Sequence, residues 1–257
     1  MIFDTHAHYD DEAFDLDREE LLLSMKEHGI GKIVNAGSSF ATNEQILELV
    51  KKHDFIKASI GIHPELAYEL TEENFKQIEE WCKLDCCVAV GEIGLDYYWP
   101  EPDPAIQRVW FERQMELAKR INKPIIVHSR DAAQDTYEMM KAAQADKIGG
   151  VVHCFSYSKE VAKQFVDMGF FLGVGGVVTF KNSKKLKEVV EYIPLEHLVL
   201  ETDCPYMAPT PFRGKRNSSL YLPYVVEMIS EIKGISTEEV EKVTWDNAHR
   251  LYRLQEE

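Results

Sequence analysis

The segment Ile2-Phe3-Asp4-Thr5-His6-Ala7-His8 places two imidazoles two residues apart at the end of an apolar run. Side chains alternate across a β-strand, so residues i and i+2 share a face, whereas on a helix they diverge by about 200°. His6 and His8 can therefore grip one ion only if this segment is extended. Four later apolar runs also stop at a potential metal ligand: Val88-Ala89-Val90-Gly91-Glu92, Ile125-Ile126-Val127-His128, Gly150-Val151-Val152-His153 and Leu198-Val199-Leu200-Glu201-Thr202-Asp203. A fold that serves this pattern must bring the same ends of several distant strands to one place.

Strand-like runs near residues 2–8, 32–37, 56–63, 87–93, 124–129, 149–154, 170–175 and 197–203 alternate with helical periodicity over 17–28, 41–53, 72–84, 104–121, 131–145, 159–168 and 183–192. A last helical region runs from about 219 to 254. Thr71 with Asn74 and Ser236 with Glu239 are paired as helix N-terminal caps. Alternation of helices with buried-type strands implies a parallel sheet. A doubly wound sheet gathers its site at one switch point, whereas a closed barrel turns all its C-terminal strand ends toward one mouth. The ligand distribution thus predicts an α/β fold of the (β/α)8 TIM barrel type. A single domain over residues 1–257 is expected, since no repeat or low-complexity linker interrupts the alternation.

Charge and cysteine content narrow the function classes. The longest uncharged stretch, residues 169–180, falls well short of the roughly 20 apolar residues a membrane span needs. No basic and apolar leader precedes the first strand, so a cytoplasmic protein without a membrane segment is expected. No obligate protein partner is evident, and a monomer or weak oligomer is expected. Five cysteines, an odd number with no C-x-x-C pair, argue against disulfides. Cys154 and Cys204 each follow a candidate ligand, and strand alternation would turn them away from it as buried structural thiols. The net charge of −15 argues against a general nucleic-acid coat protein, because backbone binding needs Lys and Arg. A nuclease whose metals and a few local cations hold the phosphate stays open.

Four histidines and two carboxylates without a thiolate suit divalent ions such as Zn, Mn, Mg, Co or Ni. Six ligands around one ion would leave no open position. Shared between two ions through a bridging carboxylate, they leave room for a water whose pKa falls to about 7, and for both oxygens of a phosphoryl transfer. Metal-assisted hydrolysis is the implied reaction.

The chain carries, in order, Asp4-Thr5-His6-Ala7-His8, Gly61-Ile62-His63-Pro64, Gly91-Glu92-Ile93-Gly94-Leu95-Asp96-Tyr97, Val127-His128-Ser129-Arg130-Asp131-Ala132, His153-Cys154-Phe155-Ser156, Glu201-Thr202-Asp203-Cys204-Pro205 and Pro211-Phe212-Arg213-Gly214-Lys215-Arg216-Asn217. In this it resembles the TatD-type metal-dependent deoxyribonucleases of the amidohydrolase superfamily. The resemblance implies that His6, His8, Glu92 and Asp203 hold one ion and that Glu92, His128 and His153 hold the other. Glu92 would bridge, and Asp203 would orient the attacking water or take its proton. DNA would be the substrate, with 3′ exonuclease action as one form. Three departures alter the mouth without removing a ligand: Tyr157 for a glycine, Glu65 for a second histidine, and Asn217-Ser218-Ser219 for an Asn-Glu-Pro sequence.

Other residues could contact substrate. Arg213, Lys215 and Arg216 lie in an acid-free stretch after Asp203, and barrels often bind phosphate after their last two strands. Arg130, two residues past His128, is a second candidate for phosphate. His63 could contact a phosphate or support the metal site. Tyr97, Tyr98, Trp99, Phe155, Tyr157 and Tyr206 follow strand ends, where bases could stack or the rim could simply pack. Asp4 shares a face with His6 and His8 and could brace them. His28, His53, His197 and His249 read as surface or packing residues. The competing enzyme reading is hydrolysis of an amide, lactone or ester, such as an aminoacyl-tRNA linkage; the non-enzymatic one is a metal-binding scaffold.

Overall fold

The computed structural model describes residues 1–255. Eight strands follow chain order around one sheet: β1 Ile2–Ala7, β2 Ile30–Ala36, β3 Ile56–Ile60, β4 Cys87–Asp96, β5 Ile125–Arg130, β6 Gly150–Val152, β7 Phe170–Val174 and β8 Leu198–Leu200. Each pairs in parallel with the next. The ring closes just beyond β8, where the Asp203 N–H donates to the His6 carbonyl at 2.9 Å and the His8 N–H donates to the Cys204 carbonyl at 2.9 Å. The helices are α1 Arg18–Ser24, α2 Phe40–Lys52, α3 Glu72–Cys82, α4 Pro104–Ile121, α5 Ala133–Ala142, α6 Lys159–Asp167, α7 Lys184–Tyr192, α8 Leu222–Lys233 and α9 Thr237–Tyr252. The architecture is a (β/α)8 barrel.

The sequence accounts for most of these elements locally. All ten residues of β4 are buried, as expected of a strand covered on both faces. Ser39 and Thr71 cap α2 and α3 by accepting the Thr42 and Asn74 N–H groups, with the reciprocal bonds of a capping box. The expected C-terminal helical region is two helices. Gly234, at φ +67°, ends α8 in a left-handed turn, and the Ser236 hydroxyl accepts the Glu239 N–H to start α9. Ala248, Leu251 and Tyr252 of α9 join Phe3, Val34, Ile126, Val151 and Val199 in one buried cluster. The last helix is thereby packed against strands from around the barrel. Among the described residues, no helix is long and apolar enough to cross a membrane.

Candidate metal centre

Two sets of donor atoms meet at the C-terminal mouth, and Glu92 belongs to both. His6 Nε2 lies 3.0 Å from His8 Nε2, 3.3 Å from Glu92 Oε2 and 3.6 Å from Asp203 Oδ1. His8 Nε2 lies 3.3 Å from the same Asp203 oxygen. On the other side of the carboxyl group, Glu92 Oε1 lies 2.6 Å from His153 Nε2, 2.9 Å from His128 Nδ1 and 3.5 Å from His63 Nε2. Donors about 2.1 Å from one ion and tetrahedrally disposed are about 3.4 Å apart. Three overlapping groups have spacings that suit a divalent cation, His6 with His8 and Asp203, His6 with Glu92 and His153, and His63 with Glu92 and His128, and all offer only nitrogen and oxygen.

Hydrogen bonds behind the rings decide which nitrogen faces the mouth with a lone pair. His8 Nδ1 sits 2.8 Å from the Ala36 carbonyl, which can only accept, so Nδ1 carries the hydrogen and Nε2 is free to ligate. His128 is arranged the other way: its Nε2 is 2.9 Å from Asp96 Oδ2, which leaves the Nδ1 lone pair toward Glu92 and His153. His63 differs from both. Its Nδ1 accepts the Glu65 N–H at 3.1 Å, so in the neutral ring Nε2 bears the hydrogen and faces the mouth as a donor. His63 is therefore better suited to hydrogen-bond a substrate oxygen than to bind a cation.

Asp96 is the contributor that strand-end reasoning overlooks. β4 runs three residues past its expected end, and strand alternation places Glu92, Gly94 and Asp96 on one face. Asp96 Oδ1 accepts the Tyr98 N–H at 2.9 Å, which aims the other oxygen at His128. Gly94 lets the two strands approach: at φ +149° a Cβ there would lie 1.9 Å from the His128 carbonyl oxygen.

The charges of the mouth reinforce one another. Burial by itself would raise the Glu92 carboxyl, but His153, His63 and His6 and the hydrogen bond from His128 hold it well below the usual range. Burial likewise opposes ionised Asp203, yet its bond to His8 and the neighbouring histidines keep it below normal. Burial disfavours a charged His8, but the Asp203 hydrogen bond and the Asp203 and Glu92 charges push it up to about 10. Against burial, Asp96 and Glu92 lift His128 to about 9. Burial and His153 lower His6 to about 4, and burial and His128 lower His63 to about 3. Carboxylates that hold protons this firmly on two imidazoles form a strong site for positive charge of any kind, and a cation there would displace those protons.

The surrounding frame is buried and mostly satisfied. Asp4, fully buried, accepts from the Thr202 N–H at 3.0 Å and hydroxyl at 2.7 Å and from the Ser219 hydroxyl at 2.6 Å. It thus braces the loop that carries Asp203, and toward the paired histidines it accepts the His6 backbone N–H at 3.3 Å. β6 and β8 are only three residues long, so His153 and Asp203 follow the strands and alternation no longer governs their neighbours. Cys204 is buried as expected, but Cys154, at φ +45°, lines the cleft with its thiol 3.6 Å from Met207 Sδ. Glu201 Oε1 accepts the Cys154 N–H at 2.5 Å behind that turn. His53 and His249 are packing residues inside the protein.

The donors open into a cleft of about 1070 Å³ lined by His8, His63, Glu92, His128, His153 and Asp203. Acidic side chains dominate it, including Glu65, whose carboxylate interacts with Arg130. Asp10, Asp11, Glu12 and Asp15 form an acidic wall after β1, while Arg130 is the only Lys or Arg among the described lining residues. Arg213 and Lys215 do not line it; Arg213 lies exposed over the Phe180 ring at 4.4 Å, and Lys215 is exposed on the outer part of the loop. Arg216 is tied to Asp17 by bonds of 2.6 and 2.7 Å.

Known proteins resemble this chain over almost all of its length. Residues 3–253 match the family described as TatD related DNase. The uncharacterized metal-dependent hydrolase YabD of Bacillus subtilis (strain 168) is 45% identical over 254 residues, 99% of this chain and 100% of that protein. The uncharacterized metal-dependent hydrolase YcfH of Escherichia coli (strain K12) is 32% identical over 260 residues, 99% of this chain and 96% of that protein. Among solved structures, the TatD homologue YjjV of Escherichia coli K12 superposes with a TM-score of 0.93 at 30% identity, covering 99% of this chain and 98% of that one. The protein is a metal-dependent hydrolase that belongs to the TatD related DNase family.

Proposed function

We propose that this hydrolase cleaves phosphodiester bonds in DNA at a centre of two divalent cations. His6, His8, Glu92 and Asp203 would hold one ion, and Glu92, His128 and His153 the other. The observation that carries this reading is the Glu92 carboxyl group, which offers one oxygen to each histidine set. Bound ions of this kind supply positive charge at phosphoryl oxygens and acidify a nearby water. Asp203, held ionised at the mouth, would orient that water and accept its proton. His63, with its Nε2–H turned toward Glu92, would donate to a phosphate oxygen. Arg130 would add the one guanidinium within the cleft. Arg213 and Lys215, outside the cleft, are proposed as contacts only for a strand long enough to reach the loop after β8. The description of the matched family supports DNA as the substrate.

The test is to load the purified protein with Mn, Mg or Zn and offer single-stranded DNA, double-stranded DNA, RNA, and a panel of amides, lactones and esters. Metal-dependent DNA degradation that disappears in Glu92→Ala and Asp203→Ala is expected. Turnover of an amide, lactone or ester while DNA stays intact would overturn the reading. Elemental analysis that never exceeds one ion per chain at saturating metal would overturn the two-ion assignment.

A further inference from the structure

We infer that Tyr98, Trp99 and Arg130 form a stacking subsite for a nucleobase beside the metal centre, an inference that rests on the phosphodiesterase reading above. Arg130 follows His128 by two residues on β5, so both side chains leave the strand on one face, roughly 6.6 Å apart along it. A substrate whose phosphate lies over the histidines has its adjoining nucleoside within reach of Arg130. In a chain with 44 acidic residues, this guanidinium makes no ion pair or hydrogen bond among the described residues. Its Cζ lies instead over aromatic rings, 3.8 Å from the Tyr98 centroid and 6.0 Å from that of Trp99. The arginine itself is exposed, and a guanidinium held over an aromatic ring can also stack on a planar partner.

The two rings are exposed for their size, Tyr98 at 53% and Trp99 at 48%, and meet edge to face with centroids 4.8 Å apart. A single exposed aromatic residue needs no explanation. Two together, next to an unpaired arginine at the rim of a catalytic cleft, offer a surface that stacks any base without reading its edges. The turn that carries them is fixed from below. The Tyr97 N–H donates to the Arg130 carbonyl at 2.9 Å, the Tyr98 N–H donates to Asp96, and the buried Gln107 amide donates to the Asp96 and Pro102 carbonyls at 2.8 and 2.9 Å. The opposite wall, with Asp10, Asp11, Glu12 and Asp15, repels phosphate. A nucleic-acid strand is therefore drawn to the Arg130 side.

The experiment compares kcat/KM for a single-stranded oligodeoxynucleotide with that for methyl p-nitrophenyl phosphate, a diester with no base, in the metal-loaded enzyme. In the Tyr98→Ala/Trp99→Ala double variant, the ratio of oligonucleotide to base-free activity should fall by roughly 5- to 150-fold, the loss that one stacked base carries. Tyr98→Phe and Trp99→Phe, which keep the rings, should retain most of the ratio. Anisotropy of a fluorescent phosphorothioate oligonucleotide provides a readout without turnover, and the double variant should bind it more weakly but bind a strand with abasic sites no differently. An unchanged ratio with unchanged binding overturns the subsite and leaves the phosphodiesterase reading standing. A wild-type enzyme that hydrolyses neither phosphodiester overturns both.

Discussion

Replacing Asp96 with asparagine should switch the His128 tautomer and weaken one of the two proposed cation positions. Asp96 accepts two N–H groups at once, from the Tyr98 backbone and from His128 Nε2, each at 2.9 Å. Asparagine has one oxygen and one NH2 group in the same volume. The Tyr98 N–H is fixed in the backbone, so the asparagine oxygen must stay with it and the NH2 must face His128. His128 Nε2 then has to accept, which moves its hydrogen to Nδ1, the atom that faces Glu92 Oε1 and His153. The lone pair needed by a cation is lost there unless the ring flips or the new bond breaks. Loss of such a partner behind a ligating histidine costs about 10- to 100-fold in affinity, or about 1.4–2.7 kcal/mol. Titration of the metal-free protein with Zn or Mn by calorimetry, in competition with a chelator, should resolve one weakened class of site. The class anchored by His6, His8 and Asp203 should stay close to wild type. Two classes at wild-type affinity in Asp96→Asn would refute the tautomer reasoning.

Further perturbations probe other parts of the site. Gly94→Ala should destabilise by on the order of 3 kcal/mol or more, because the added Cβ meets a backbone oxygen at 1.9 Å and φ is +149°; a thermal melt within a degree of wild type would contradict this. Asp4→Ala removes the closer acceptor of the buried Thr202 N–H and hydroxyl, which keep only the His6 carbonyl at 3.3 Å, and one partner of the Ser219 hydroxyl, and should cost about 1–3 kcal/mol in chemical denaturation; a loss under about 0.5 kcal/mol would count against it. In chelator-treated protein, His8 and His128 have folded pKa values of about 10 and about 9, above the ordinary 6.5. The stability they confer is complete below about pH 6 and lost as pH rises through 9 and 10, so the melting temperature should fall over that window and the fall should shrink when a divalent cation is added. With a mononucleotide ester as substrate, Arg213→Ala should leave KM within a few-fold of wild type while Arg130→Ala raises it about tenfold, since only Arg130 lines the cleft; the reverse order would place phosphate on the loop after β8.

Much of this site was legible because its donors stand at the ends of apolar runs. His6 and His8 declared an extended segment by their spacing, and the other runs each delivered one donor to the same mouth. What could not be read were consequences of where strands stop. β4 continues to Asp96, so a carboxylate two turns of alternation beyond Glu92 faces the same space, although nothing in the local apolar pattern marks it. β6 and β8 stop early, so Cys154 points into the cleft, against strand alternation. The basic loop after Asp203 looked like a phosphate cradle, but Asn217 anchors it to the Thr202 carbonyl at 2.9 Å and Arg216 is pulled to Asp17, away from the donors. Such tertiary pairings carry no periodicity. The break between α8 and α9 was readable in Gly234 and Ser236, which are ordinary stop and start residues.

The seam between the first and last strands makes the metal centre a property of the finished ring. His6 and His8 are synthesised long before Asp203, whose N–H bond to the His6 carbonyl comes from the other end of the sheet. A growing chain that has not yet formed β8 holds both imidazoles without the Asp203 carboxylate, so this donor set is incomplete until the last strand is in place. Once the ring has closed, a cation held as proposed by His6, His8 and Asp203 would act as a clasp across a joint where β8 contributes only three residues. Opening that joint would part the ligands, so each increment of free cation above its dissociation constant adds to the work of unzipping the barrel there.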